Sequence, residues 1–327
     1  MSKVAFNPAT DIPDQSGRVF LITGGTQRHS SNPFSPLTLY LGTTGLGASS
    51  ISFIAAQNPA HIFFSGRNKA RATELITKIN QASPSTKLTF LECDLSSLAS
   101  VQSTSKSFLA QSSRLDVLMC NAGIMATPPS MSKDGYEIQF ATNHLGHALL
   151  IKLLLPCMLS TAAQPDSDVR IINLSSVAYN TVPNAGIEFA KLKTPNANYG
   201  PFYNPSKWMC YGQSKLANLL YATQLAKHYP SITTVAVHPG FIKTDLHAHE
   251  SFADRMVVNM IADKWVTREQ GAYTQTWAAT TAKGGLENGA YYEPVGVKTV
   301  PKTRQGKDEG LAGELWEWTE RELEKWV

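Results

Sequence analysis

Short runs of β-branched and other apolar residues alternate along the chain with longer segments whose apolar positions recur every three or four residues. Val19 to Thr23, His61 to Ser65 and Leu88 to Cys93 read as strands, each followed by a helical pattern: Gly45 to Gln57, Lys69 to Gln81 and Ser97 to Gln111. The alternation continues through Leu115 to Cys120, a long helical pattern from Gly135 to Thr161, Val169 to Ser175, a helix that Tyr211 opens and Tyr229 ends, and Thr233 to His238. Strands such as LDVLMC are apolar on both faces, so both faces must be covered. The prediction is an α/β protein: a doubly wound parallel sheet in three layers, with residues 1–327 forming one domain. A helix near Arg268 to Thr280 and a last edge strand in GAYYEPVG complete the expected elements.

With 327 residues and 43% hydrophobic content, the chain can fill one large core. The net charge of +4 comes from acidic and basic residues mixed along the chain, without the basic stripe that a nucleic acid requires. Cys93, Cys120, Cys157 and Cys210 are widely spaced in or beside apolar stretches and show no metal-ligand pattern. A reducing compartment is expected. The N-terminal MSKVAFNPATDIPDQSG lacks the apolar run of a secretory signal, and no stretch approaches the roughly 20 apolar residues of a membrane span. These features predict a soluble, cytoplasmic protein. Asn173 begins a formal glycosylation sequon, but its place in VRIINLSS reads as buried strand.

Glycines mark a candidate phosphate site. Gly24 and Gly25 follow the first strand, and Thr44-Gly45-Leu46-Gly47 opens a helix. Such glycines let a backbone approach a pyrophosphate, while the helix N-terminus offers amide donors and a favourable dipole. The two parts are separated by TQRHSSNPFSPLTLYLG, residues 26–42, which is polar, contains proline and has no period. Removing it restores the continuous string TGGTTGLG. Two readings stay open for this insertion: a surface excursion of the loop, or translated intron sequence.

At the end of the second strand stands Arg67, where an acidic residue would favour NAD. An arginine fork suits the 2′-phosphate of NADP(H); the alternative is a solvated arginine at a helix start. Asp94 closes the third strand, either as an acceptor for the adenine amine or as an N-cap of the next helix.

The ordered set CNAG at Cys120 to Gly123, NHLGH from Asn143, NLSS ending at Ser176, YGQSK from Tyr211 to Lys215, and HPG from His238 resembles the short-chain dehydrogenase/reductase family. The resemblance spans about Gly17 to Gly296. It is greatest to retinol-dehydrogenase-like and fungal oxidoreductase members, on the strength of IMATPP, DGYEIQFATNHLGH and YGQSKLANLLY. It implies a Rossmann-type fold and interconversion of a ketone or aldehyde with its alcohol, and for fungal members a place in secondary metabolism. It also implies a homodimer or homotetramer.

Tyr211 and Lys215 lie four apart, so a helix puts them on one face. A phenol titrates near 10, and an adjacent ammonium is expected to lower that value and fit Tyr211 for proton exchange. The family pattern implies that Lys215 also holds the nicotinamide ribose and that the Ser176 hydroxyl bonds the substrate oxygen. It implies further that Asn143 anchors a water linking Lys215 to solvent, that Asn121 seats the cofactor, and that Ile242 and Thr244 contact the carboxamide end. Gly24, Gly45, Leu46, Gly47, Arg67 and Asp94, with Tyr211 and Lys215, complete the expected cofactor contacts. His144 and His147 have no third ligand beside them and read as packing residues, so no metal is expected. Phe202, Tyr203, Trp208 and the stretch from Phe252 to Trp265 line an apolar substrate pocket or belong to the core. The competing reading is a non-catalytic dinucleotide-binding or scaffold protein, disabled by the split loop.

Overall fold

The computed structural model describes residues 5–25, 45–195, 206–242 and 265–327. The insertion at 26–42, Thr44, Phe202, Tyr203, Thr244 and residues 252–264 therefore lie outside the described residues.

The first half of the chain runs β1 (Val19–Thr23), α1 (Leu46–Ala55), β2 (His61–Gly66), α2 (Lys69–Ala82), β3 (Leu88–Glu92), α3 (Leu98–Leu109) and β4 (Val117–Cys120). A long helix α4 (Ile138–Ala162) then leads to β5 (Arg170–Leu174), α5 (Ser206–His228) and β6 (Thr233–Val237). The last part holds a two-stranded ribbon, β7 (Phe241–Ile242) with β8 (Trp265–Val266). After it come α6 (Arg268–Gly271), α7 (Tyr273–Thr280), β9 (Tyr291–Glu293), β10 (Val297–Thr299) and α8 (Glu309–Leu323).

The main sheet has the order β10-β9-β6-β5-β4-β1-β2-β3, and every neighbouring pair is parallel except β9 with β10. Alternation along the strands feeds two cores. Val19 and Leu21 of β1 face α3, α4, α5 and α8, while Phe20 and Ile22 face α1, α2 and α7. This is the three-layer arrangement expected from the sequence, in one α/β domain. The strand order reverses between β1 and β4, which leaves a crevice at their carboxyl ends.

Several elements differ from expectation, each for a local reason. GAYYEPVG is an inner strand, because β10 adds an antiparallel edge beyond it. The helix near Arg268 is two pieces, α6 and α7. Tyr211 does not open its helix: α5 begins at Ser206, which places Tyr211 in its second turn. The α8 helix was not anticipated; Asp308 caps it by accepting from the Leu311 N–H at 3.0 Å, and it buries Leu311, Leu315, Trp318 and Leu323. The sequence reading also found no stretch of membrane-spanning length, yet α4 is long and apolar enough by composition. Two-thirds of its most apolar window is buried inside the fold, so its composition is that of a core helix.

The fully buried Arg170 ties β5 to α7, donating to the Ala278 and Thr281 carbonyls at 2.8 and 2.5 Å and to Asp168. A cation at a helix C-terminus meets carbonyls that the helix leaves unsatisfied. The position of α7 that results matters for the crevice.

Candidate active site

The crevice is built from glycines packed against one asparagine. Gly24 has φ +87° and Gly45, the N-cap of α1, has φ +91°, values that favour glycine. A Cβ on Gly24 would stand 2.9 Å from both Ala122 Cα and Asn121 Nδ2, and one on Gly47 would stand 2.7 Å from Asn121 Nδ2 and the Gly24 carbonyl. Asn121 donates to the Thr23 carbonyl (2.7 Å) and accepts from Gln275 of α7 (2.8 Å). It therefore braces β1, β4 and α7 at the mouth of the crevice. Among the described residues, helix α1 has no side-chain cap and no acidic residue in its first turn, so its amide end suits an anion. Leu46 is buried and its side chain packs near Gly271 beside Ile242, which leaves its backbone for any ligand contact. Arg268 crosses above Gly45, its Cδ 3.6 Å from where a Cβ would stand.

At the ends of β2 and β3, Arg67 is exposed and makes no hydrogen bond or ion pair among the described residues. Asn68, next to it, caps α2 by accepting from the Arg71 N–H at 3.0 Å. Asp94 does not cap α3. Its Oδ1 accepts from the N–H and hydroxyl of Ser96 (3.0 and 2.7 Å), while the Leu98 N–H donates to Asp134 instead. The Asp94 carboxylate is taken up by Ser96, and it is the Asp94 backbone N–H that meets α3, donating to the Ser100 hydroxyl at 3.0 Å.

The acid/base candidates lie on the α5 side of the sheet. Ser175 is buried and donates to the Lys215 carbonyl at 2.7 Å, so it is a packing group. Ser176 accepts from the Ala178 N–H at 3.2 Å, which caps the short helix Val177–Asn180, and it also hydrogen-bonds Tyr211. The cap and the site contact coexist. Gly212 permits this approach, because a Cβ there would fall 1.9 Å from the Thr181 carbonyl oxygen. The Lys215 Nζ stands 5.6 Å from the centre of the Tyr211 ring and donates to the Leu174 carbonyl at 2.9 Å. Two of its three N–H donors have no partner among the described residues.

Electrostatics depart from the sequence expectation in one respect. Burial pushes the Tyr211 phenol up to about 12, with the Ser176 hydrogen bond pulling the other way. The expected lowering by Lys215 is not seen, because desolvation outweighs an ammonium directed at the Leu174 carbonyl. Burial lowers Lys215 itself to about 8.

Asn143 sits in a π-helical turn, Ala141–Leu145, within α4. Its Oδ1 accepts from the Ile124 N–H (2.8 Å), and its Nδ2 donates to the Ile124 carbonyl (2.9 Å) and to the Ser214 hydroxyl (2.9 Å). Its amide is therefore engaged with protein on both atoms. Gly123 lies between Asn143 and Lys215: a Cβ there would stand 3.1 Å from Asn143 Oδ1 and 3.5 Å from Lys215 Nζ. Of the aromatic candidates, Trp208 lies on α5 under the Lys207 ammonium and Trp265 meets Phe241 edge-on at 6.4 Å. Sequence reasoning missed Gly212, Ser214 and Gln275 as partners of the site. The first two are the small residues inside YGQSK, a signal available at that spacing; Gln275 gives none.

A crevice at the strand-order reversal, with a glycine-lined helix start and a Ser-Tyr-Lys group beside it, defines a dinucleotide-dependent oxidoreductase class. The family model described as short chain dehydrogenase matches residues 38–188, so β1 and Gly24 fall outside the match. An uncharacterized oxidoreductase of Schizosaccharomyces pombe is 33% identical over 321 residues, covering 96% of this chain and 87% of the relative. Among solved structures, an uncharacterized protein of Mycobacterium paratuberculosis covers 98% of both chains at 26% identity and a TM-score of 0.68. The NADPH-bound carbonyl reductase of chicken fatty liver covers 88% of this chain and 100% of its own at 21% identity and a TM-score of 0.59, a likeness of fold. The chain belongs to the short-chain dehydrogenase/reductase family and is an oxidoreductase that uses a nicotinamide dinucleotide.

Proposed function

We propose that this protein interconverts a ketone or aldehyde and its alcohol with NADP(H), working mainly as a reductase. The observation that carries the reading is the buried Tyr211 and Lys215 on one helical face, with the half-buried Ser176 hydrogen-bonded to the phenol. Gly24 and Gly47 let β1 and the start of α1 close against Asn121, and the start of α1, with Gly45 as its N-cap and Arg268 above it, suits the negative charge of a pyrophosphate. The free fork of Arg67 would take the 2′-phosphate, and Asp94 Oδ2 the adenine amine. Lys215 would hold the ribose hydroxyls with its two remaining donors, and Ile242 and Thr244 would meet the carboxamide. When bound, the dinucleotide supplies or accepts the hydride. Ser176 orients the substrate oxygen, and Tyr211 gives that oxygen its proton in reduction or removes it in oxidation.

In this reading Asn143 acts through its hold on Ile124 and Ser214, and the water it was expected to anchor would lie near its backbone, since its amide is engaged. The outer sides of α4 and α5 are covered by α8 through Lys152 to Glu320 (2.5 Å), His144 to Thr319 (3.0 Å) and stacked Tyr221 and Trp316 (5.2 Å). A homodimer or homotetramer through those helices would have to form around α8. The scaffold alternative is favoured only by the split loop.

A panel of aldehydes and ketones assayed by NADPH consumption tests the activity; a chain that binds NADPH but turns over none of them supports the scaffold reading. The cofactor choice has its own test. Arg67→Asp is expected to weaken NADPH at least tenfold while leaving NADH within a few-fold, because an acidic side chain repels the 2′-phosphate and accepts from a ribose hydroxyl. Equal loss with both cofactors would remove Arg67 from the 2′-phosphate site.

A further inference from the structure

His147 stands one helical turn beyond Asn143 and is almost fully buried. Its Nδ1 lies 3.0 Å from the Asn143 carbonyl oxygen and its Nε2 lies 2.8 Å from the Thr23 hydroxyl. A carbonyl only accepts, so Nδ1 carries the hydrogen. Burial pushes the imidazole down to about 4, so the ring is neutral and Nε2 is an acceptor. The Thr23 hydroxyl therefore donates to the ring, and its oxygen in turn accepts from the Ala122 N–H at 3.0 Å. The Met119 carbonyl is the other acceptor within reach of this hydroxyl, but at 3.4 Å it is the longer contact, and the His147 ring is the nearer acceptor.

The two ends of the imidazole belong to different parts of the site. Thr23 is the last residue of β1 and precedes Gly24, and its carbonyl takes the hydrogen bond from Asn121. Asn143 lies in the π-helical turn, where the usual i to i+4 backbone pattern is interrupted. Its amide reaches Ser214, whose hydroxyl donates to the Tyr211 carbonyl at 2.7 Å. A continuous set of hydrogen bonds thus runs from the residue before Gly24, through His147 and Asn143, to the helix turn that carries Tyr211. His144 takes no part. Its Nε2 meets Thr319 of α8 at 3.0 Å, and its ring packs edge-on against Phe140 and Tyr221.

We propose that His147 is a positioning residue that couples the dinucleotide seat to the acid/base centre, by fixing the Asn143 carbonyl with one ring nitrogen and the Thr23 hydroxyl with the other. The inference rests on the nicotinamide-dependent reading above. It predicts that the ring matters for turnover and for cofactor binding together, although it touches neither substrate nor cofactor.

The test uses full-length His147→Leu, His147→Gln and Thr23→Val proteins, each checked for wild-type unfolding midpoint in urea. With the best carbonyl substrate, His147→Leu is expected to lower kcat about tenfold and to weaken NADPH binding several-fold, the scale of coupling through a packed polar network. The KM for the carbonyl substrate should stay unchanged. Glutamine retains one donor and one acceptor, so it should recover a measurable part of both losses. Thr23→Val should reproduce part of the defect, and adding it to His147→Leu should cost little more, since both remove one contact. Should His147→Leu fail to fold, Thr23→Val and His147→Gln carry the same comparison. Variants that match wild type in kcat and NADPH affinity, or losses that add in full in the double variant, overturn the coupling. A wild-type protein that neither binds nor oxidises NADPH would overturn the underlying reading and this inference with it, a result distinct from an active wild type with indifferent variants.

Discussion

Replacing Tyr211 with phenylalanine is expected to lower carbonyl reduction by about a thousandfold, the usual scale for removing a positioned proton donor. NADPH affinity should change little, because the phenol is bonded to Ser176 rather than to the glycine-lined crevice. Stability should fall by no more than about 1–2 kcal/mol, since the ring stays and Ser176 keeps its bond from the Ala178 N–H. Turnover by fluorimetry, NADPH titration and urea unfolding separate these terms. Retained turnover would remove Tyr211 from the chemistry. The pH profile of the wild type carries a further expectation. Tyr211, held up to about 12, stays protonated through the working range, whereas Lys215, lowered to about 8, does not stay charged. Reductive kcat should therefore fall as pH rises through about 8, even though the proton donor itself remains protonated. A profile flat to pH 10 would show that the bound dinucleotide restores the ordinary lysine value.

How much of this was visible in the sequence depends on whether a feature leaves a periodic or compositional trace. β1 was bounded correctly, and β2 to within one residue, because their buried runs end at glycine or threonine where the crevice begins. The order of Gly24, Asn121, Ser176, Tyr211 and Lys215 was legible for the same reason: each follows a strand or sits at fixed helical spacing. The π-helical turn at Asn143 was not, since one extra residue per turn barely disturbs the apolar pattern of FATNHLGHALL. The α8 helix was legible in principle, from Asp308 as cap and Leu311, Leu315 and Trp318 at helical spacing. What no pattern carries is the partner of a long-range contact. Gln275 reaching Asn121 and His147 reaching Thr23 join residues more than a hundred positions apart. The shift of Tyr211 was missed because a pKa depends on burial and on where Lys215 points, and spacing alone gives neither.

The buried histidines make a second large effect, on stability against acid. His144, His147 and His238 are fully buried and held at about 3, 4 and 3, so the fold keeps all three neutral. In the unfolded chain each titrates near 6.5. Their folded values are depressed, so the stability they confer is present above about pH 6.5 and is lost as pH falls toward the folded values. With three such groups the loss approaches about 4 kcal/mol per pH unit below 6. Glu137 opposes it. Burial raises this carboxyl to about 7 despite the N–H donors of Gln139 and Phe140, so its protonated form is favoured in the fold. A raised carboxyl confers stability that is lost as pH rises through about 7, the reverse sign, and it offsets about one proton between pH 7 and 4.5. His61, which burial and then Lys87 hold at about 4, adds a fourth group of the same sign as the three imidazoles. The net expectation between pH 6 and 5 is an uptake of about two to three protons on unfolding and a loss of about 3–4 kcal/mol, a large share of the about 5–15 kcal/mol that holds a domain. Urea unfolding at pH 7, 6 and 5 measures this slope. Glu137→Gln should steepen it by about one proton, because the opposing group is gone while the histidines remain. A stability that is unchanged from pH 7 to 5 in both proteins would mean that the three imidazoles accept protons inside the fold. In that case the tautomer assigned to His147 would fail with it, because a charged ring cannot accept from Thr23.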